Sequence, residues 1–122
     1  MTSHAHPRTS RFLARTGAKF RVIGQNEVEY FSSEDKLSKA HTAEGCFWME
    51  PSLNALEERL DPALFYRISR AAIVRLDFVR EVAPLVGGHG EVRLRNGAAL
   101  PVSRRRFHDL IVRLGGSPPS CS

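Results

Sequence analysis

From Arg11 onward the chain alternates short apolar runs with polar turns, and most of the runs have the two-residue period of strands. "RFLAR" and "KFRVI" are rich in aromatic and branched side chains and flank "TGA", which predicts a hairpin. "VEYFSS" and "LSKAHT" follow as alternating runs, and "AEG" turns the chain into "CFWME". The period changes at Pro51. In "PSLNALEERL" the leucines Leu53, Leu56 and Leu60 fall at i, i+3 and i+7, and the proline occupies a tolerated first-turn position. This predicts one short helix with Glu57 and Glu58 facing outward. Beyond "DP" the stretches "LFYRI", "AAIVRL" and "FVREVAPLV" return to strand composition. "GGHG" then separates "FVREVAPLV" from "EVRLRN", and Asn96-Gly97 marks a further hairpin before "AALPV". The last element, "SRRRFHDLIVRLG", puts Phe107, Leu110, Ile111 and Leu114 on one helical face, with Ser103 as N-cap and Gly115 as stop. The expected fold is mainly β, antiparallel, with two short helices.

Residues 1–10 are polar, contain Pro7 and show no period, so they read as a disordered lead-in; residues 116–122 read as a disordered tail, leaving one domain over 11–115. A chain of 122 residues, 42% hydrophobic and 25% charged, suits a single globular unit. No apolar stretch approaches the roughly 18 residues of a membrane span. The first residues lack the apolar segment of an export signal, and Cys46 and Cys121 do not make a disulfide framework, so a reducing cytoplasm is the expected location.

Charge changes the picture more than composition does. The formal net charge is +5, and the residues after Asp61 hold ten Lys/Arg against four Asp/Glu. That excess suits a polyanionic partner, although it serves solubility equally well. Enzyme chemistry finds little support. The histidines His4, His6, His41, His89 and His108 have no partner at a metal-ligand spacing, so no metal or other cofactor is expected. "GGHG" lacks the following helix of a phosphate-cradling loop, and Ser69 has no identifiable base. The basic residues instead cluster where strands end. Lys36 and Lys39 bracket Ser38, Arg67 and Arg70 bracket Ser69, and Arg104, Arg105 and Arg106 begin the last helix. Guanidinium groups on short loops fixed by a sheet can reach phosphates and the guanine edge in a major groove. The same three arginines also read as a solvated first turn pairing with Asp109, at a small cost against the helix dipole.

The order of these pieces resembles the LytTR-type DNA-binding domain, the output module of many bacterial transcription regulators, over about residues 11–114. That family's pattern is an Ile-x-Tyr strand and hairpin, Ser-Leu at a helix start, Phe-x-Arg-Ile-His-Arg-Ser-x-x-Val-Asn, and Leu-Pro-Val-Ser-Arg. Here the matching positions are Val28 and Tyr30, Ser52 and Leu53, Phe65 to Arg75, and Leu100 to Arg104. The resemblance implies an elongated antiparallel fold that grips double-stranded DNA by loops entering successive major grooves. With the charge argument it gives Lys36, Ser38, Lys39, Arg67, Ser69, Arg70, Arg104 and Arg105 as candidate DNA contacts, and leaves Arg106 as a solvated charge. Three positions depart from the pattern: Ser69 replaces the usual His, Ala71 the Ser and Arg75 the Asn, with Arg75 adding a compensating charge. The expected function is sequence-specific transcription regulation, on promoter direct repeats and as a homodimer on DNA. The alternative is a protein-interaction module that has lost DNA binding. Only about ten residues precede the first strand, so the input signal is expected from a separate sensor or regulator protein, or from dimerisation.

Overall fold

The computed structural model describes residues 11–116, so the expectations for residues 1–10 and 117–122 lie outside the described residues. The elements run β1 (Arg11–Thr16), β2 (Lys19–Gly24), β3 (Val28–Glu34), β4 (Leu37–Thr42), β5 (Gly45–Met49), α1 (Leu53–Arg59), β6 (Phe65–Ser69), β7 (Ala72–Arg75), β8 (Val79–Pro84), β9 (Gly90–Leu94), β10 (Ala99–Val102) and α2 (Arg104–Arg113). Seven strands form one antiparallel sheet in the order β2-β1-β5-β4-β3-β7-β6, and β10-β9-β8 form a second. Each predicted strand run and both helices are present. Two single-turn 3-10 helices, Gln25–Glu27 and Leu76–Phe78, were not foreseen, and the second ends the run "AAIVRL" at Arg75. Both turns lie immediately before a strand.

Two cores hold the sheets. Leu53, Leu56 and Leu60 of the α1 segment bury their side chains against Phe12, Ile23, Phe31, Phe65 and Ile73. Phe31 is central, its ring 6.2 Å from that of Phe12 and 5.8 Å from that of Phe65. Such full burial stabilises by about 1.5–3 kcal/mol per large side chain. The second core packs Tyr66, Ile68 and Val74 against Val92, Leu94, Val102 and Leu110. The β6–β7 hairpin is therefore buried on both faces, with Phe65, Arg67 and Ile73 toward α1 and Tyr66, Ile68 and Val74 toward the small sheet and α2. This explains why "LFYRI" reads as a continuous run rather than an alternating one.

The helix ends differ from expectation in detail. Ser52 caps α1, its Oγ accepting from Ala55 N at 3.1 Å. Ser103 occupies the N-cap of α2 but its side chain makes no capping bond; its backbone N donates to Ile68 O at 2.9 Å instead, fastening the helix start to β6. Gly115, at φ +92°, and Gly116 donate to Val112 O and Ile111 O, both at 2.9 Å, so Gly116 belongs to the helix cap and not to a tail. Leu110 is fully buried and Phe107 and Ile111 are partly so, but Leu114 is 36% exposed because the helix has ended before it.

The β3–β4 connection is a two-residue turn in which Asp35 and Lys36 both take positive φ, 52° and 68°. Left-handed backbone at two non-glycine residues costs about 1 kcal/mol or more per residue. Replacing Asp35-Lys36 by Asn-Gly is expected to raise stability by about 1 kcal/mol, read as a shift in denaturant midpoint at constant slope.

Candidate nucleic-acid interface

The sheet register gathers the basic loops at one end. Ser32 pairs with Lys39 and with Ala72, so the tip of the β3–β4 hairpin and the β6–β7 turn extend in the same direction. Ser33 N donates to Ala71 O at 2.9 Å and ties the two together. The start of α2 joins them through the Ser103–Ile68 bond. Between the turn and the helix lies an open depression of about 500 Å3, lined by Ser69, Arg70, Ala71, Ser103 and Arg105 at its rim and by Asn54, Glu57, Arg67 and Arg106.

The candidate residues divide into those that present their charge and those that do not. Arg70 and Arg105 are both exposed and both line the depression, one from the β6–β7 turn and one from α2. Arg104 is exposed beside them, its stem lying over Gly88, where an added Cβ would come 2.8 Å from Arg104 Cδ. Lys36 is exposed at the hairpin tip. Lys39 pairs with Glu34 at 3.0 Å and sits 4.8 Å from the centre of the Trp48 ring, and the hydrogen bond to Glu34 raises its pKa above the ordinary lysine value. Ser69 orders its own turn, its Oγ accepting from Ala71 N at 3.1 Å.

Two candidates are interior. Ser38 is 2% exposed and its Oγ donates to the carbonyl of Pro51, latching β4 to the segment before α1. Arg67 is 9% exposed. Its Nε donates to Ser69 O at 2.7 Å and its Nη2 to Arg70 O at 2.9 Å, while Nη1 reaches Asn54 Oδ1 at 3.0 Å and Glu57 Oε1 at 2.8 Å. Its position between Tyr66 and Ile68, in register with Phe65, was the sequence signal for an inward side chain.

Arg106 reverses its expected role as a solvated charge. It turns inward, donating from Nη1 to Arg67 O at 3.2 Å and approaching Glu57 Oε2 at 3.9 Å. The helical period foretold this, since Arg106 lies four residues before buried Leu110 and so shares its face. Glu57 is exposed, as expected, and from there reaches both guanidinium groups. Asp109 pairs with Arg113 at 4.0 Å rather than with the first-turn arginines. Arg75 does not add charge to this end. It lies at the far end of β7 from the turn, bonded to Asp77 Oδ1 at 3.0 Å and to Asn26 O.

On the sheet face that carries Lys39, His41 stacks on Tyr30 with ring centres 4.0 Å apart, and its Nε2 lies 2.8 Å from Ser32 Oγ. Burial, and then the charge of Lys39, hold the imidazole pKa below its ordinary 6.5. The unfolded chain therefore takes up this proton first as pH falls, so the stability His41 contributes is full above about pH 6.5 and declines below it. The thermal midpoint is expected to drop more steeply from pH 7 to pH 5 in the parent chain than in His41→Gln.

Among the described residues no group of three or more His, Cys, Asp or Glu is placed to hold a metal, and no helix is long and apolar enough to cross a membrane. A family model described as the LytTr DNA-binding domain matches residues 18–115. The sensory transduction protein LytT of Bacillus subtilis is 20% identical over 107 residues, covering 88% of this chain and 44% of that protein. LytT of Oceanobacillus iheyensis is 26% identical, with 90% and 46% covered, and the transcriptional regulatory protein LytR of Staphylococcus aureus is 27% identical, with 80% and 39% covered. The chain thus spans less than half the length of these curated relatives. In three dimensions it is similar to a solved chain described as a LytTr DNA-binding domain from Bacillus cereus, with a TM-score of 0.80, 22% identity, and coverage of 88% of this chain and 98% of that one.

Proposed function

Because the chain belongs to the LytTr DNA-binding domain family, we propose that it reads double-stranded DNA in a sequence-specific way through its basic end and thereby regulates transcription. The observation that carries this reading is the placement of exposed Arg70 and Arg105 on one depression at the end of the sheet. Arg70 sits on the short β6–β7 turn and Arg105 in the first turn of α2, which is fastened to β6, so little side-chain and loop ordering is left for the binding step. A guanidinium offers the forked donors that match two phosphate oxygens or the O6/N7 edge of guanine. Lys36 and Arg104 flank the pair and serve as phosphate contacts, while Ser38 and Arg67 support the loops from inside.

The test is selection of bound sequences from a randomised duplex pool, followed by affinity measurements over a range of salt. A recovered consensus, bound with an affinity that falls steeply with salt, is the expected result. Recovery of no consensus, with only weak binding of any duplex, would instead support the protein-interaction reading.

A further inference from the structure

We propose that Arg67 is the positioning residue of this interface: its buried guanidinium, balanced by Glu57, fixes the Ser69–Ala71 turn that presents Arg70 and locks that turn to helix α1. This inference rests on the DNA-binding reading for its functional consequence, but not for its structural one. Four of the five guanidinium N–H groups have acceptors, and they are divided by purpose. Nε and Nη2 hold the carbonyls of Ser69 and Arg70, at 2.7 and 2.9 Å, so the turn is gripped at two successive peptides. Nη1 holds Asn54 and Glu57 of α1, at 3.0 and 2.8 Å, so the grip is anchored in the core. From the other side Arg106 holds the carbonyl of Arg67 itself, at 3.2 Å, and shares Glu57. Helix α1 and the turn are therefore joined by the Arg67 guanidinium, and the first turn of α2 reaches the same residue at its main-chain carbonyl.

Only arginine meets this pattern. A lysine carries its three donors at one point and cannot span two turn carbonyls and two helix acceptors set around the edge of a planar fork. The charge is interior, so Glu57 is required as its counterion. The interior placement also separates this role from a phosphate contact. A residue that neutralises a phosphate changes the salt dependence of binding, whereas a residue that aims another arginine changes discrimination between sequences and leaves the salt slope alone.

The experiment uses the full chain, a duplex selected on the parent protein and a random duplex of equal length. For Arg67→Lys we expect about a tenfold or greater loss on the selected duplex, an unchanged salt slope and unchanged binding to the random duplex. Arg70→Ala should then cost less in the Arg67→Lys background than alone, because an Arg70 that is no longer aimed contributes less. Without any DNA, backbone amides of Ser69 to Ala71 should exchange faster in Arg67→Lys. If that variant does not fold, Glu57→Gln provides the test, with a smaller loss of the same kind. A salt slope lowered as for a lost phosphate contact, or full discrimination with parental amide exchange, would overturn the proposal. Failure of the parent chain to bind any duplex would defeat the DNA-binding reading, while the exchange measurement would still decide the role of Arg67.

Discussion

Arg70→Ala together with Arg105→Ala is expected to lower affinity for a selected duplex about a hundredfold or more, with little change in thermal stability. Each arginine is exposed, and among the described residues no side-chain bond to another protein group holds either one, so truncation removes charge and donors without leaving an orphaned group inside. A bidentate guanidinium contact to a base contributes about 1–3 kcal/mol of discrimination, and each lost phosphate contact lowers the salt slope by about one. The two sites sit on different elements, the β6–β7 turn and the start of α2, so their effects should roughly add. Arg95→Ala is the control. That exposed arginine lies next to Asn96, which bonds Glu29 near the start of β3, at the end of the sheet away from the hairpin tip. Electrophoretic or fluorescence titration of the parent, the two single variants, the double variant and the control decides the matter. Equal affinity for parent and double variant would remove Arg70 and Arg105 from the interface.

The second large effect concerns stability and comes from a residue with no side chain. Gly90 begins β9 directly beneath the ring of Phe107, and a Cβ placed there would stand 2.2 Å from Phe107 Cε1 and 2.9 Å from the carbonyl of Ala83. Neither neighbour gives way freely, since the ring is part of the second core and the carbonyl belongs to the β8–β9 ladder. Gly90→Ala is expected to destabilise by about 1–3 kcal/mol through overpacking. Phe107 lies in the same helix turn as Arg104 and Arg105, so the variant should also weaken DNA binding. Adding Phe107→Leu should recover part of the loss, making the pair less harmful than the sum of the two changes. Chemical denaturation of the single and double variants measures both terms, and strictly additive costs would show that ring and glycine do not oppose one another.

Much of the fold was written in local patterns. Leu53, Leu56 and Leu60 announce α1 by spacing alone, and "TGA", "GGHG" and Asn96-Gly97 mark turns by chemistry. What local patterns do not carry is pairing between distant strands. The bonding of β1 to β5 and of β3 to β7 is decided by which apolar faces must share α1, and no window of the sequence contains both partners. The interface was legible in the same partial way. Charge pointed to the loops, and order among motifs pointed to Arg70 and Arg105 as the contacts now proposed. Charge alone, however, does not distinguish an arginine that faces solvent from one that faces in. Arg67 and Arg106 were separable only by the strand and helix periods that place them beside Phe65 and Leu110. Ser38 carried a similar signal, alternating with buried Ala40 on β4.

The two borders of the large sheet are finished differently. At β6 the outward carbonyls of Arg67 and Ile68 are taken up by Arg106 and Ser103, so that border is sealed by α2. At β2 no further strand follows among the described residues, and exposed Phe20 and Val22 alternate with Lys19 and Arg21. Arg21 is already neutralised by Glu44, which among the described residues leaves Lys19 as the cation without an ion pair on a row of peptide groups able to template another chain. Colloidal behaviour is thereby tied to ionic strength: concentrated stocks keep best in dilute buffer, where like-charge repulsion stays long-ranged, and salt that screens it favours edge-to-edge association.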